Sequence, residues 1–469
     1  MNLSRISQIC ILAFAVPGFA CQSPSEAIQP NFVVIFCDDL GYGDLGSFGH
    51  PTIRTPNLDR MAEEGQKWTN FYAAASVCTP SRAALLTGRL PVRSGMMGPE
   101  RRVLFPDSPG GIPEAEITLA EMLKDKGYAT ASVGKWHLGH LPKYLPTNNG
   151  FESYFGIPYS NDMNQINKGP TKELLSPARV EYWNVPLMRD EQIVERPADQ
   201  RTITRRYTEE AVQFIQSNQQ QPFFLYLAHS LPHVPLFASD DFLGTSRRGL
   251  YGDVVEEIDQ GVGKIMETLT ELGMAENTLV VFTSDNGPWL PYGEHGGSAG
   301  PLREGKGSTW EGGMREPTIF WWPDRLKSGV VMEMGSTLDL FATFSAIAGA
   351  EFPTDRVMDS YDLTPVLLGT GTSPRKSMFF YRESKLYAVR QGEFKAHFIT
   401  KPVYTGRPEN ETYHDPPLLY HLGKDPGELH DVAQLNPAVL QQIGKLVAAH
   451  QAKMVPGEDM LAARGEKDF

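Results

Sequence analysis

Cys78 opens the run Cys78-Thr79-Pro80-Ser81-Arg82, which continues as Ala83-Ala84-Leu85-Leu86-Thr87-Gly88-Arg89. Thr-Pro is a helix-start signal, because proline is tolerated where the first backbone donors have no partner. Thr79 is the expected N-cap, and Cys78 then faces the positive end of the helix dipole, where an anion is favoured. Arg82 follows four residues later, one helical turn on, so it can lie over Cys78. Two further groups carry a different chemistry. Asp38, Asp39, Asp285 and Asn286 offer three carboxylates and an amide oxygen, a donor set suited to a hard divalent cation. Calcium is favoured for its tolerance of irregular geometry and several carboxylates, with magnesium the alternative. Zinc is disfavoured, since these four residues include neither His nor thiolate. His137 and His233 are the natural acid or base at neutral pH, with an unperturbed pKa near 6.5.

These residues must be brought together by the elements that precede them. Asn31 to Cys37 is nearly continuous in apolar residues, as in a strand buried on both faces of a parallel sheet, and it ends in Asp38-Asp39. Ala129 to Gly134 follows an amphipathic stretch, Leu119 to Lys126, and ends in Lys135-Trp136-His137. Phe223 to Ala228 follows a helical stretch from Thr204 to Ser217 and ends in His229-Ser230-Leu231-Pro232-His233. Thr278 to Thr283 follows a long helix, Asp253 to Leu272, and leads to Asp285-Asn286. Alternating helix and buried strand predicts an α/β fold, a large and mostly parallel mixed sheet sandwiched by helices. In such sheets ligands bind at the carboxyl ends of the strands, and all four strands deliver ionisable residues there.

From about Gly369 the texture changes to short strands with close turns at Met378–Tyr381, Lys385–Arg390 and Phe394–Phe398, then a helix over Pro437–Met454. The expected organisation is a catalytic domain over 30–369 and a smaller C-terminal α+β subdomain over 370–469, an antiparallel sheet plus a helix. Asn161 to Asp199 reads as a long loop rich in Asn and Pro, suited to a substrate-facing insertion. The chain has 469 residues, 41% of them hydrophobic, enough for a substantial core. Its formal net charge of −13 gives no general attraction to nucleic acid or to an anionic membrane. An anionic substrate would therefore need a local cluster of Lys, Arg and His.

Arg5 followed by the apolar run Ile9 to Ala20, broken by Pro17, is too short to span a bilayer and reads as an export signal over 1–21. Gly18-Phe19-Ala20-Cys21 looks like an imperfect bacterial lipobox, which would make Cys21 a lipidated N-terminus. Cleavage near Ala20 or Ala27 is the other reading, and 22–29 suits a tether in both. The expected location is the bacterial periplasm or, lipid-anchored, the outer membrane. Cys37 and Cys78 are then the only deeper cysteines. Two do not make a disulfide framework, and Cys37 reads as a small apolar residue ending a strand.

Taken together, the segments resemble type I (formylglycine-dependent) sulfatases of the arylsulfatase A-like group, in the alkaline-phosphatase-like superfamily. The resemblance rests on Cys-x-Pro-x-Arg from Cys78, on Asp38-Asp39-x-Gly41-x-Gly43-Asp44, and on Gly134-Lys135-Trp136-His137-Leu138-Gly139. Pro232-His233-x-Pro235, Ser284-Asp285-Asn286-Gly287 and Gly305-Lys306-Gly307-Ser308-Thr309-Trp310-Glu311-Gly312-Gly313 extend it. Gly156-Ile157-Pro158-Tyr159-Ser160 carries it more loosely, and Asn161 to Arg201 carries no recognised pattern.

The resemblance implies that a maturation enzyme oxidises Cys78 to formylglycine, whose hydrated aldehyde is the nucleophile. Cys78 so modified would join Asp38, Asp39, Asp285 and Asn286 around one calcium. Lys135 and Lys306 would bind sulfate oxygens, Arg82 would steady the ionised hydrate, and Asp285 would act as its base. His137 would deprotonate the sulfated hydrate so that sulfate leaves, and His233 would serve the leaving alcohol. Ser160 would touch the sulfate. Independently of the resemblance, His295 and Arg303, in the Gly-rich loop before Lys306, read either as substrate contacts or as a cover to the loop. The implied reaction is hydrolysis of a sulfate ester, on a sulfated carbohydrate, to alcohol and inorganic sulfate. Two alternatives stand beside it. A phosphoesterase of the same superfamily would normally carry Ser or Thr as nucleophile. A non-catalytic sulfated-glycan-binding protein would keep Cys78 as a thiol.

Overall fold

The computed structural model describes residues 29–166, 175, 178–405 and 410–466. The export signal, the lipobox at Cys21 and most of the tether lie outside them. Ten strands build the main sheet: β1 (Asn31–Cys37), β2 (Gln66–Tyr72), β3 (Ala129–Gly134), β4 (Ser153–Gly156), β5 (Leu187–Arg189), β6 (Gln192–Glu195), β7 (Phe223–Ala228), β8 (Thr278–Ser284), β9 (Thr318–Trp321) and β10 (Gly329–Ser336). Their order is β10-β2-β9-β8-β1-β7-β3-β4-β5-β6. The centre, β8-β1-β7-β3-β4, is parallel throughout. Antiparallel pairs join β8 to β9, β9 to β2, β4 to β5 and β5 to β6.

Every residue of β1 is buried, because the sheet is covered on both faces. Val33 and Ile35 pack with Tyr207 of the helix Ile203–Ser217 and Ile258 of the helix Leu250–Glu271. Phe32, Val34 and Phe36 point the other way, into Leu85 of the helix Cys78–Thr87, Leu123 of Leu119–Asp125 and Phe341 of Asp339–Ala348. Full burial of each such side chain is worth about 1.5–3 kcal/mol, so the strand that carries Asp38 and Asp39 is a rigid mount.

A separate four-stranded antiparallel sheet follows: β11 (Ser377–Arg382), β12 (Lys385–Gln391), β13 (Phe394–Thr400) and β14 (Thr412–His421), in that order. The helix Pro437–Gln451 covers it through Ile443, against Val389, Ala396 and Leu419. Part of the stretch expected as loop, Asn161 to Asp199, instead supplies β5 and β6, which extend the main sheet at its edge. Residues 167–174 and 176–177 of that stretch lie outside the description.

Candidate active site

The helix Cys78–Thr87 begins two residues earlier than the Thr-Pro signal predicts. Val77, with extended φ/ψ, is its N-cap, so Cys78 is the first helical residue. Pro80 costs nothing at the third position, since donors of the first turn lack helical partners anyway. Thr79 does not cap. Its Oγ1 donates to the His137 carbonyl at 2.9 Å and accepts from the Leu104 N–H at 3.2 Å. The threonine therefore ties the helix start to the β3 terminus.

Four strand ends meet at Cys78, and cations alternate with anions around it. The thiol donates to Asp38 Oδ1 at 3.4 Å, and Lys306 Nζ reaches Sγ at 3.6 Å. Lys135 Nζ donates to Asp38 Oδ2 at 2.5 Å and to Ser160 Oγ at 3.2 Å. Lys306 Nζ also donates to both oxygens of Asp39, at 2.6 and 2.8 Å. Arg82 donates to Asp285 Oδ2 from Nε (3.0 Å) and Nη2 (2.8 Å), and from Nη1 to the Lys135 carbonyl at 3.0 Å. It lies 3.7 Å from Asp38 Oδ1. These groups are buried, where unpaired charge would be prohibitive and pairing is obligatory.

Burial alone would raise the pKa of Asp38, but Lys135, His233, Arg82 and Lys306 together hold it well below the usual carboxylate range. Burial and then the Asp38 charge push the Cys78 thiol upward, against Lys135 and Lys306.

The two histidines differ. His137 and Asp39 have the left-handed φ values of 60° and 63°, sparsely populated for non-glycine residues and stabilised here by their neighbours. His137 Nε2 lies 2.9 Å from the Leu104 carbonyl. A carbonyl only accepts, so Nε2 carries the hydrogen and Nδ1, buried without a partner, keeps its lone pair. Burial and then Lys135 lower the pKa of this ring well below that of free histidine. His233 Nδ1 donates to its neighbour's carbonyl, Val234, at 2.5 Å, and Nε2 stands 3.6 Å from Asp39 Oδ2. Asn161 Nδ2 donates to the carbonyls of His233 (3.4 Å) and Pro235 (3.2 Å), so the edge segment fixes this histidine.

For a cation the donor set fits. Asp38, Asp39, Cys78 and His233 offer ligand atoms within 4.8 Å of one another. Asn286 Oδ1 is a buried acceptor with no partner, while its Nδ2 donates to Asp39 Oδ1 at 2.7 Å. An orphaned amide oxygen beside two carboxylates is what an oxygen-liganded ion requires. Asp285 is more committed than the sequence suggests: Oδ2 takes Arg82, and Oδ1 accepts from the Asp39 N–H at 3.2 Å.

His295 and Arg303 are not brought to this cluster. His295 lines a different cavity with Arg179, Arg201 and Leu250. Arg303 turns to the C-terminal sheet, stacking 3.8 Å over the Trp310 ring and donating to the Glu428 carbonyl at 2.8 Å. A guanidinium with an aromatic face and a carbonyl at hand is satisfied without substrate. Trp289 and Tyr404 were not anticipated. The Trp289 ring lies 4.4 Å from Lys306 Nζ and 5.3 Å from the His233 ring, and its Nε1 donates to the Tyr404 carbonyl at 3.0 Å. A tryptophan after Asn-Gly-Pro could have been suspected; Tyr404 carries no local signal.

Comparison with known proteins agrees with this geometry. The sulfatase family model matches residues 30–350, and the model for the C-terminal region of aryl-sulfatase matches 373–467. Arylsulfatase A of Homo sapiens is 44% identical over 490 residues, covering 97% of this chain and 94% of that protein. N-acetylgalactosamine-6-sulfatase of Canis lupus familiaris is 43% identical over 472 residues, covering 92% and 88%. The crystal structure of Ps i-CgsB in complex with k-i-k-neocarrahexaose superposes with a TM-score of 0.77 at 31% identity, covering 93% of this chain and 95% of that one. With the Cys78 segment, the paired aspartates and both lysines in one buried cluster, the chain belongs to the sulfatase family, in its arylsulfatase A-like group, and is a sulfuric ester hydrolase.

Proposed function

We propose that this sulfatase hydrolyses sulfate esters of a carbohydrate through formylglycine at position 78, with one calcium ion beside it. The observation that carries the reading is the surroundings of Cys78: a buried side chain at the start of a helix, 3.6 Å from Lys306 Nζ, with Lys135 held on the neighbouring Asp38, the two lysines an anion would need. The fold does little to activate sulfur as a nucleophile, while it surrounds that position with cationic donors. Formylglycine would supply a hydrated aldehyde oxygen as nucleophile. A divalent cation held by Asp38, Asp39, Asp285 and Asn286 would polarise the sulfate as a Lewis acid.

The chain's own residues do the rest. Lys135, Lys306 and the Ser160 hydroxyl bind sulfate oxygens, the lysines exchanging part of their hold on Asp38 and Asp39 for the substrate. Arg82 fixes Asp285 from two nitrogens and so orients the carboxylate beside the nucleophile. His137 accepts a proton at Nδ1, the nitrogen its Leu104 contact leaves free. His233 delivers a proton from Nε2 to the leaving alcohol; it must be cationic to do so, which Asp39 favours and burial with Lys306 opposes. The names of the relatives support a sulfated sugar: one acts on N-acetylgalactosamine 6-sulfate, and one structural neighbour holds a neocarrahexaose. Export rests on the apolar run Ile9 to Ala20, and lipid anchoring on Cys21.

The test is peptide mass spectrometry across Val77 to Arg82 on protein from its native host, combined with turnover of 4-nitrophenyl sulfate and sulfated saccharides. Loss of sulfur with gain of an aldehyde, and release of sulfate, is expected. An intact thiol with retained glycan binding would leave a binding protein instead, and turnover of 4-nitrophenyl phosphate in preference to the sulfate would favour a phosphoesterase.

A further inference from the structure

Beside the helix start lies a cavity of about 260 Å³, walled by Val77, Pro80 and Gly307 from the catalytic side and by Arg382, Lys401 and Tyr404 from the C-terminal side. That is close to the lower end of small-molecule sites, about 300–1,000 Å³, and suits one saccharide unit. A second, wider cavity of about 550 Å³ adjoins it, and Glu100 and Arg102 line both.

The cations on the wall are unequal. Lys401 Nζ is held by both oxygens of Glu383, at 2.9 and 3.0 Å. Arg382 donates to the carbonyls of Lys401 and Pro402, at 3.2 and 2.8 Å. Arg102 is exposed, and its guanidinium sits 3.3 Å from the centroid of the Tyr404 ring. Among the described residues it has no carboxylate partner. Its platform is fixed to the chemistry: the Tyr404 N–H donates to the Lys306 carbonyl at 3.1 Å, and a Cβ on Gly307 would meet Tyr404 Cβ at 2.6 Å. Lys306 in turn reaches Sγ of Cys78. A stacked guanidinium keeps its edge donors free, and that edge matches a carboxylate or sulfate with two parallel hydrogen bonds.

We infer that Arg102, stacked on Tyr404, is a specificity-determining residue that holds a second anionic substituent, a carboxylate or a sulfate, on the sugar whose sulfate ester lies at residue 78. The inference rests on the sulfated-carbohydrate reading and deepens it. A cation placed there would offset locally the unfavourable general field of a chain of net charge −13.

Three probes test it: N-acetylgalactosamine 6-sulfate, the same sugar linked to a uronic acid, and its 4,6-disulfate. For the host-matured enzyme, kcat/KM is expected to be higher for at least one dianionic probe than for the monosulfated one, and which one identifies the source of the second charge. Arg102→Ala should collapse that ratio about 10- to 100-fold, the range of a hydrogen bond to a charged group, mainly through KM, and Arg102→Lys should recover part of it. Equal kcat/KM on all three probes, or a ratio unchanged in Arg102→Ala, overturns the inference. Calorimetric binding to Cys78→Ala, with and without Arg102→Ala, separates it from the reaction itself. A dianion binding preference in Cys78→Ala that vanishes with Arg102→Ala, together with no sulfate release by the host-matured enzyme, upholds Arg102 and sinks the sulfatase mechanism. Sulfate release with no dianion preference does the reverse.

Discussion

Lys395→Met should cost the fold about 3–5 kcal/mol, the range for breaking a buried ion pair by removing one partner. Lys395 Nζ is fully buried on β13 between Glu311 Oε1 at 2.9 Å and Glu428 Oε1 at 3.3 Å. Without it, two buried carboxylates lose their shared cation. Each keeps other partners. Tyr72 donates to Glu311 Oε2 at 2.6 Å and Arg315 lies at 3.3 Å; His397 Nε2 is 2.7 Å from Glu428 Oε1, and the Glu311 N–H donates to Oε2 at 2.7 Å. These leave the expected loss nearer about 3 kcal/mol. Guanidinium unfolding followed by tryptophan fluorescence reads the loss directly. Because Glu311 closes the Gly-rich loop that carries Lys306, KM for a sulfate ester should rise in the same variant. Lys395→Met/Glu428→Gln should be less destabilised than the single change, since one orphaned charge is gone. A single variant within about 0.5 kcal/mol of wild type, the level of ordinary surface changes, or a double variant worse by the full sum, refutes the argument.

Three further outcomes are expected. His229 is buried and its pKa lowered to about 4 by desolvation, whereas the unfolded chain takes up that proton below about 6.5. Its contribution is therefore intact above about pH 6.5 and lost as pH falls to about 4, some 3 kcal/mol in all; in His229→Gln the acid limb of stability against pH should flatten over that window. Chelation should abolish sulfate release and lower Tm, and calcium at about a hundredfold its Kd should return about 2.7 kcal/mol. Zinc restoring activity better than calcium would contradict the oxygen donor set. Arg82→Lys should lower kcat by at least about 100-fold, as removal of a positioned charged contact does, because a single ammonium cannot reach Asp285 and the Lys135 carbonyl together; near-wild-type kcat would show that Arg82 only balances charge.

The centre of the sheet was legible because burial on both faces forces continuous apolar runs, and β1, β3, β7 and β8 each end at their ionisable residue. β14 was not, because Pro416 and Pro417 read as breakers; it is an edge strand whose pairing with β13 skips at that point. The site residues near glycines and strand ends were likewise legible as segments. The start of the Cys78 helix is displaced by two residues, since Thr79 is used by Leu104 and His137 rather than by its own helix. Tyr404 and Arg102 meet only through tertiary packing, and no local spacing encodes such a contact.

The parallel centre also sets a timetable. β1 is made first, yet its ladder partners Phe224 and Thr278 are made last among the central strands. The Asn31 side chain contacts the Phe223 backbone across a separation of 192 residues. At about 5–20 residues per second, the run from Phe32 to Phe36 waits roughly 10–40 s without a neighbour to pair with. This long-range pairing makes folding slow and leaves an apolar segment open to aggregation while it waits. Cys78 emerges within the same interval and is 2% exposed once the sheet closes. An enzyme that modifies Cys78 would have to reach it before the central strands close over it.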